Sequence, residues 1–217
     1  KGKIGGLYNA IAPLREFVRY LFQLGYMDTY LIPPKQMPKL HPEAPYFFSE
    51  DELFYFFREC DSYYAENPGP RARGIIMPAL FRVLYCCGLR PKEARMLPYG
   101  NVNLTEKYID VIQSKGPKSR RIFISDELAS YLMIYDNHVS AMFPKRHYFF
   151  PVDVDKAYSV QTIGYNFTLI WKKTFPEWSG KLPRIYDLRH HFAWATINRW
   201  AKEGTDINAM LPYLMRY

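Results

Sequence analysis

A chain of 217 residues with 48% hydrophobic content can bury a sizeable core, as one domain or as one domain plus part of another. Its net charge of +8 favours a polyanionic partner, nucleic acid first. No apolar run approaches the roughly 20 residues of a membrane span. No secretory leader opens the chain. The three cysteines, Cys60, Cys86 and Cys87, are odd in number and two are adjacent, which fits a reducing cytoplasmic setting rather than a disulfide framework.

In chain order, residues 9 to 25 form an amphipathic helix pattern, with Ile11, Leu14, Val18, Leu21 and Phe22 at helical spacing and Gly25 suited to the C-terminal cap. Pro33, Pro34, Pro38, Pro42 and Pro45 rule out a regular helix or central strand from residue 31 to 45, so an extended linker and a domain boundary are expected there. Ser49-Glu50-Asp51-Glu52 fits a capping box, and its helix should run to about Tyr64, where Asn67-Pro68-Gly69-Pro70 breaks it. Ile75, Ile76, Ala79, Leu80, Val83, Leu84 and Cys87 mark a strongly apolar, buried helix that Gly88 ends. Tyr108 to Gln113 and Arg121 to Ile124, with a Gly-Pro turn between them, predict a β-hairpin. Helices follow over 126–138, 160–175 and 187–201, with a last one carrying Ile207, Met210, Leu211 and Leu214 on one face. The fold class is therefore mainly α with a small antiparallel sheet. Aromatic content is 18%, and most of it, as in Phe47-Phe48 and Tyr55-Phe56-Phe57, falls in helix-like segments and is expected to fill the core.

The residues with chemistry are basic. Arg90 sits in Gly88-Leu89-Arg90-Pro91-Lys92-Glu93, Lys115 in the hairpin turn Ser114-Lys115-Gly116-Pro117-Lys118, and Arg189 in Tyr186-Asp187-Leu188-Arg189-His190-His191. A phosphodiester under attack gains negative charge on its non-bridging oxygens, and guanidinium groups bind those oxygens bidentately while staying charged. A lysine can instead give up a proton to a leaving oxygen. Each position has an ordinary alternative: Arg90 a surface or capping residue, Lys115 a plain turn lysine, Arg189 a partner for an acid. The histidines His41, His138, His147, His190 and His191 form no metal motif with the cysteines, so no metal site is expected. Arg71, Arg73, Lys118, Arg120, Arg121, Lys172, Lys173, Lys181 and Arg184 are candidate contacts to DNA phosphates; any one cluster alone fits a solvated face.

Taken in this order, these motifs resemble the tyrosine recombinase, or phage integrase, family over roughly residues 46 to 217. The resemblance implies Arg90 as the first catalytic arginine, Glu93 as its supporting acid, Lys115 (with Lys118 the alternative) as the catalytic lysine, and Arg189 as the second arginine. It implies residues 1 to about 30 as the end of a helical core-binding domain, 31–45 as a Pro-rich linker and 46–217 as the catalytic domain. Tyr186 stands where the family usually has the histidine of His-x-x-Arg; its hydroxyl can donate to phosphate but cannot do the work of an imidazole base. His190 is a partial substitute, or else a histidine held inside helix packing. Leu211 to Tyr217 resembles the stretch just before the family's Gly-His pair. That places the nucleophilic tyrosine beyond residue 217, and with Lys1 in place of a starting Met the chain reads as a piece of a longer protein.

The implied activity is site-specific recombination of double-stranded DNA through a 3′-phosphotyrosine, by a homo-tetramer at synapsis, without cofactor, in a cytoplasmic, nucleoid-associated protein of bacterial or phage origin. This chain alone would bind DNA without cleaving it. Alternatives are a non-catalytic DNA-binding or regulatory protein with the same fold, and a type IB topoisomerase. A basic RNA-binding protein has no RNA-recognition motif behind it.

Overall fold

The computed structural model describes residues 4–29, 32, 44–69, 71–112 and 119–215. The chain divides into two compact units at the Ala44–Pro45 junction. The first contains α1, Ile4–Gln23, which starts ahead of the periodic pattern and runs through Gly5 and Gly6. Its end is a Schellman motif: Gly25 has φ 75°, its N–H donates to Phe22 O at 3.1 Å, and Tyr26 N–H donates to Leu21 O at 3.1 Å. Residues 33–43, the heart of the expected linker, lie outside the described residues.

The second unit is built on α2 (Glu50–Glu66), α3 (Arg73–Cys87), α5 (Asp126–Met142) and α6 (Val160–Thr174), with the short α4 (Pro91–Arg95) between α3 and the sheet, and α7 (Asp187–Lys202) and α8 (Ile207–Leu214) at the end. The capping box forms as expected: Ser49 Oγ accepts from Glu52 N–H at 3.1 Å, and Glu52 Oε2 accepts from Ser49 N–H at 2.8 Å. Ser125 and Ser159 cap α5 and α6 in the same way with their hydroxyls.

The core gathers where α2, α3 and α6 meet. Phe56, Phe81, Phe167 and Trp171 are fully buried, and the Phe56 and Phe167 rings lie 5.0 Å apart. Tyr64 on α2 donates its hydroxyl to Asn166 on α6 at 2.6 Å, satisfying both polar groups inside this core. The aromatic expectation needs correction in part. Phe47-Phe48 precedes α2 in extended backbone, and only Phe48 is buried; Phe47 is exposed, as is Tyr55, because each falls on the outer side of its segment.

A three-stranded antiparallel sheet in the order β1-β2-β3 comprises Val102–Asn103, Tyr108–Val111 and Arg120–Phe123. The β2–β3 ladder pairs Ile109 with Ile122, Asp110 with Arg121 and Val111 with Arg120. A second small hairpin, β4 (Pro151–Asp153) with β5 (Lys156–Ala157), had no counterpart in the sequence pattern, nor did α4 or β1. All are five residues or shorter, too short to show a period.

Candidate active site

Gly88 shapes the turn that carries Arg90. It ends α3 with φ 60°, and Leu89, only 1% exposed, anchors the chain in the core. Arg90 then sits in extended backbone ahead of α4, with Pro91 at the first helical position, where its missing N–H costs nothing. Glu93 reaches back to this turn: Oε2 accepts from Arg90 N–H at 2.9 Å and Oε1 from Arg90 Nη1 at 2.6 Å.

The second arginine, Arg189, arrives from 101 positions after Gly88. Asp187, fully buried in the first turn of α7, accepts from Arg184 N–H at 2.7 Å and from the Arg184 guanidinium at 3.0 Å, which fixes the start of the helix. Two residues on, Arg189 Nη1 donates to the Gly88 carbonyl at 2.5 Å. Phe192, a further turn along, lies so close to Gly88 that a Cβ there would come within 2.4 Å of its ring. A side chain larger than hydrogen at position 88 would push α7, and Arg189 with it, away from Arg90.

Arg120 is the third guanidinium of this cluster. It had been expected among the surface phosphate contacts, but its side chain is 6% exposed and spans Glu93, with Nη2 to Oε2 at 2.7 Å and Nη1 to Oε1 at 3.3 Å. Two arginines thus share one carboxylate, with Arg189 near enough to feel its charge, leaving positive charge in excess. The titration behaviour follows from that. Burial pushes the Glu93 carboxyl up, but hydrogen bonds from Arg120 and Arg90 outweigh it and bring it down to about 2. Burial, then the neighbouring charge of Arg90, lowers Arg189 to about 10; Arg120 adds to this and Glu93 partly offsets it. Arg189 still carries its charge at neutral pH, in surroundings that an anion would improve.

Other expected positions are distributed as follows. Tyr186, immediately before α7, is 42% exposed, and its carbonyl accepts from Arg189 N–H at 3.1 Å. His190 is exposed, so the reading of it as a histidine held in helix packing is corrected: that place belongs to His191. His191 is buried, stacks on Tyr85 with centroids 5.9 Å apart, and has its pKa lowered by burial. Lys115 and Lys118 lie outside the described residues. Among the other candidate DNA contacts, Arg71 is paired with Asp153 at 3.1 Å. Arg73 is half-buried and near Tyr158. Arg121 is paired with Asp110 and lies 3.6 Å above the Tyr108 ring. Lys172, Lys173, Lys181 and Arg184 are exposed. Among the described residues, no group of three His, Cys, Asp or Glu could hold a metal ion, and no helix is long and apolar enough to cross a membrane.

This arrangement can be set beside known proteins. The chain is similar to the integrase/recombinase y4rE of Sinorhizobium fredii (strain NBRC 101917 / NGR234), 28% identical over 98% of this chain and 69% of that protein. Among solved structures it resembles XerA recombinase, with a TM-score of 0.62, 24% identity, and coverage of 85% of this chain and 59% of that one. It also resembles a lambda integrase (75-356) dimer bound to a COC′ core site, with a TM-score of 0.66, 15% identity, and coverage of 98% of this chain and 72% of that one. At these identities the structural likeness shows a shared fold, and the chain spans only part of each relative's length. The family model described as "Phage integrase family" matches residues 50–209, which take in Arg90, Glu93, Arg120 and Arg189, and the chain belongs to that family, the tyrosine recombinases.

Proposed function

We propose that this chain is the phosphate-gripping part of a site-specific recombinase that breaks and rejoins double-stranded DNA. The observation that carries the reading is the meeting of Arg189 with the Arg90 turn at the Gly88 carbonyl, which joins two distant guanidiniums in one cationic cluster. Arg90 and Arg189 hold the non-bridging oxygens of the scissile phosphate. A tyrosine that the family resemblance implies after residue 217 attacks the phosphorus and loses its phenolic proton to solvent; a Tyr–O–P bond forms as the bond to the 5′ oxygen breaks. Lys115 delivers a proton to that oxygen. The attacking and leaving bonds are of similar energy, so religation needs no outside energy. Most of the catalysis is positioning and charge stabilisation.

On this reading residues 1 to about 30 close a helical DNA-binding domain, 31–45 link it to the catalytic domain, and four copies assemble at synapsis. Tyr186 contributes a hydroxyl donor beside the phosphate, with His190 next to it on the exposed side. The basic positions Arg71, Arg73, Arg121, Lys172, Lys173, Lys181 and Arg184 grip neighbouring phosphates.

The test is Arg189→Ala in the complete protein on a nicked suicide duplex. Loss of a preorganised charge donor costs about a hundredfold or more in rate, so covalent complexes should disappear while duplex binding persists. Normal trapping by the variant overturns the assignment. Tyr186 in place of histidine favours a second reading, a non-catalytic DNA-binding protein; a wild-type protein that binds duplex but never traps a covalent complex would establish it.

A further inference from the structure

We propose that Arg120 is a positioning residue for strand cleavage, acting on Arg90 through Glu93 and not by touching DNA; the proposal rests on the recombinase reading. The geometry is that of a shared carboxylate. Oε1 of Glu93 accepts from Arg90 Nη1 and Arg120 Nη1, and Oε2 accepts from Arg90 N–H and Arg120 Nη2. Exposure rises along this chain of contacts, from 6% for the Arg120 side chain and 11% for Glu93 to 42% for Arg90. The inner arginine is built into the protein and the outer one faces solvent.

Two physical consequences follow. The first concerns charge. A carboxylate held by Arg90 alone would form a neutral pair with it and compete with the phosphate for its guanidinium. With Arg120 on the same two oxygens, the trio keeps a net positive charge, and Arg90 is held in place without being neutralised. The second concerns placement. Arg120 opens β3, two residues after Lys118 in sequence. Its planar fork therefore ties the start of β3 to the Arg90 turn in a fixed orientation, which a lysine's single point charge could not do.

The experiment uses the complete protein with Arg120→Met, Arg120→Lys and Glu93→Gln, each read on a nicked suicide duplex. Misplacing a catalytic group by about 1 Å costs about a hundredfold, so both Arg120 variants should cleave about a hundredfold more slowly with unchanged duplex affinity. The slope of log affinity against log salt should also be unchanged; a direct phosphate contact would reduce it by about 1. Since Arg120 acts through Glu93, the Arg120→Met, Glu93→Gln double variant should be no slower than the slower single variant; multiplied losses overturn the proposal.

The pH profile gives a readout that general destabilisation would not move. Glu93 is held at about 2, below its unperturbed 4.5, so its charge and the contacts that need it persist above that range and are lost as pH falls toward 2. Without Arg120 the Glu93 carboxyl titrates higher, and the acid limb of the cleavage rate should move up in pH. An unmoved limb counts against the proposal. If Arg120→Met melts at the assay temperature, Arg120→Lys, which keeps charge and bulk, decides alone. Absence of covalent complexes with the wild-type protein, or full cleavage by Arg90→Ala, would bring down the recombinase reading itself. Normal cleavage by the Arg120 variants beside a dead Arg90→Ala would bring down only this proposal.

Discussion

Gly88 bears on both stability and the placement of Arg189. It combines a left-handed backbone, φ 60°, with a ring contact that leaves no space for a methyl group. Gly88→Ala is expected to cost about 1–3 kcal/mol in backbone strain and a similar amount, about 1–3 kcal/mol, in overpacking. Gly100→Ala, where nothing lies within 4 Å of the added carbon, serves as the near-neutral control. Urea denaturation of the two variants measures the difference; equal midpoints would show that Phe192 yields without cost. At this scale the motifs single out Arg90 and Arg189, which the structure brings together, while Arg120, expected at the surface, is buried. The signal for Arg120 was present. Alternate residues of a strand share a face, so Arg120 must point the way core-facing Ile122 points, and Arg121 the opposite way. Treating Arg120 and Arg121 as one basic pair ignored that parity. His190 and His191 pose the helical version of the same problem. The buried member is the one whose position meets Tyr85 and Phe48, contacts from other helices and loops that local sequence does not encode.

Helices with clear end signals were the easiest elements to place. Ser49 with Glu52 starts α2 and Gly88 ends α3, where pattern and capping chemistry agreed. Ser49→Ala is expected to destabilise the second unit by about 1 kcal/mol, the usual worth of an N-cap hydroxyl, because Leu53 and Phe56 in the turns that follow anchor α2 in the core. Thermal melting checks this, and no shift would mean that the Glu52 arm of the box suffices alone. α5 runs four residues past the expected stop at His138 because its C-terminal bonds continue through Phe143 N–H to Val139 O at 2.8 Å. α4, β1, β4 and β5 were not legible, since elements that short are specified by their partners: α4 by Glu93 turning back on Arg90, β4 by β5 across a two-residue turn.

Across the whole molecule, composition points to a polyanionic partner, and the structure gathers Arg90, Arg120 and Arg189 into one cationic cluster. Expected contacts such as Lys172, Lys173 and Lys181 are exposed, and if about six phosphates are neutralised, affinity for duplex should fall about a thousandfold between about 50 and 200 mM salt. Filter binding or fluorescence anisotropy across that range measures it, and a flat response would argue against a backbone clamp. The meeting of Arg90 with Arg189 could not be read from spacing or periodicity, which are local; only the resemblance of both motifs to one family linked them, and the Gly88 carbonyl shows the physical connection.

That same bond sets an order of events during synthesis. Gly88 leaves the ribosome 101 residues before Arg189, and α2 leaves 102 residues, counted from Tyr64, before the Asn166 that completes its polar contact. The nascent chain therefore carries Arg90, Glu93 and Arg120 through the exit tunnel as an incomplete cluster. It gains the Arg189 guanidinium only when α7 emerges and docks on Gly88. Until that late helix docks, the Gly88 carbonyl lacks the guanidinium it holds in the finished fold, so completion of the cationic cluster waits on one of the last elements made.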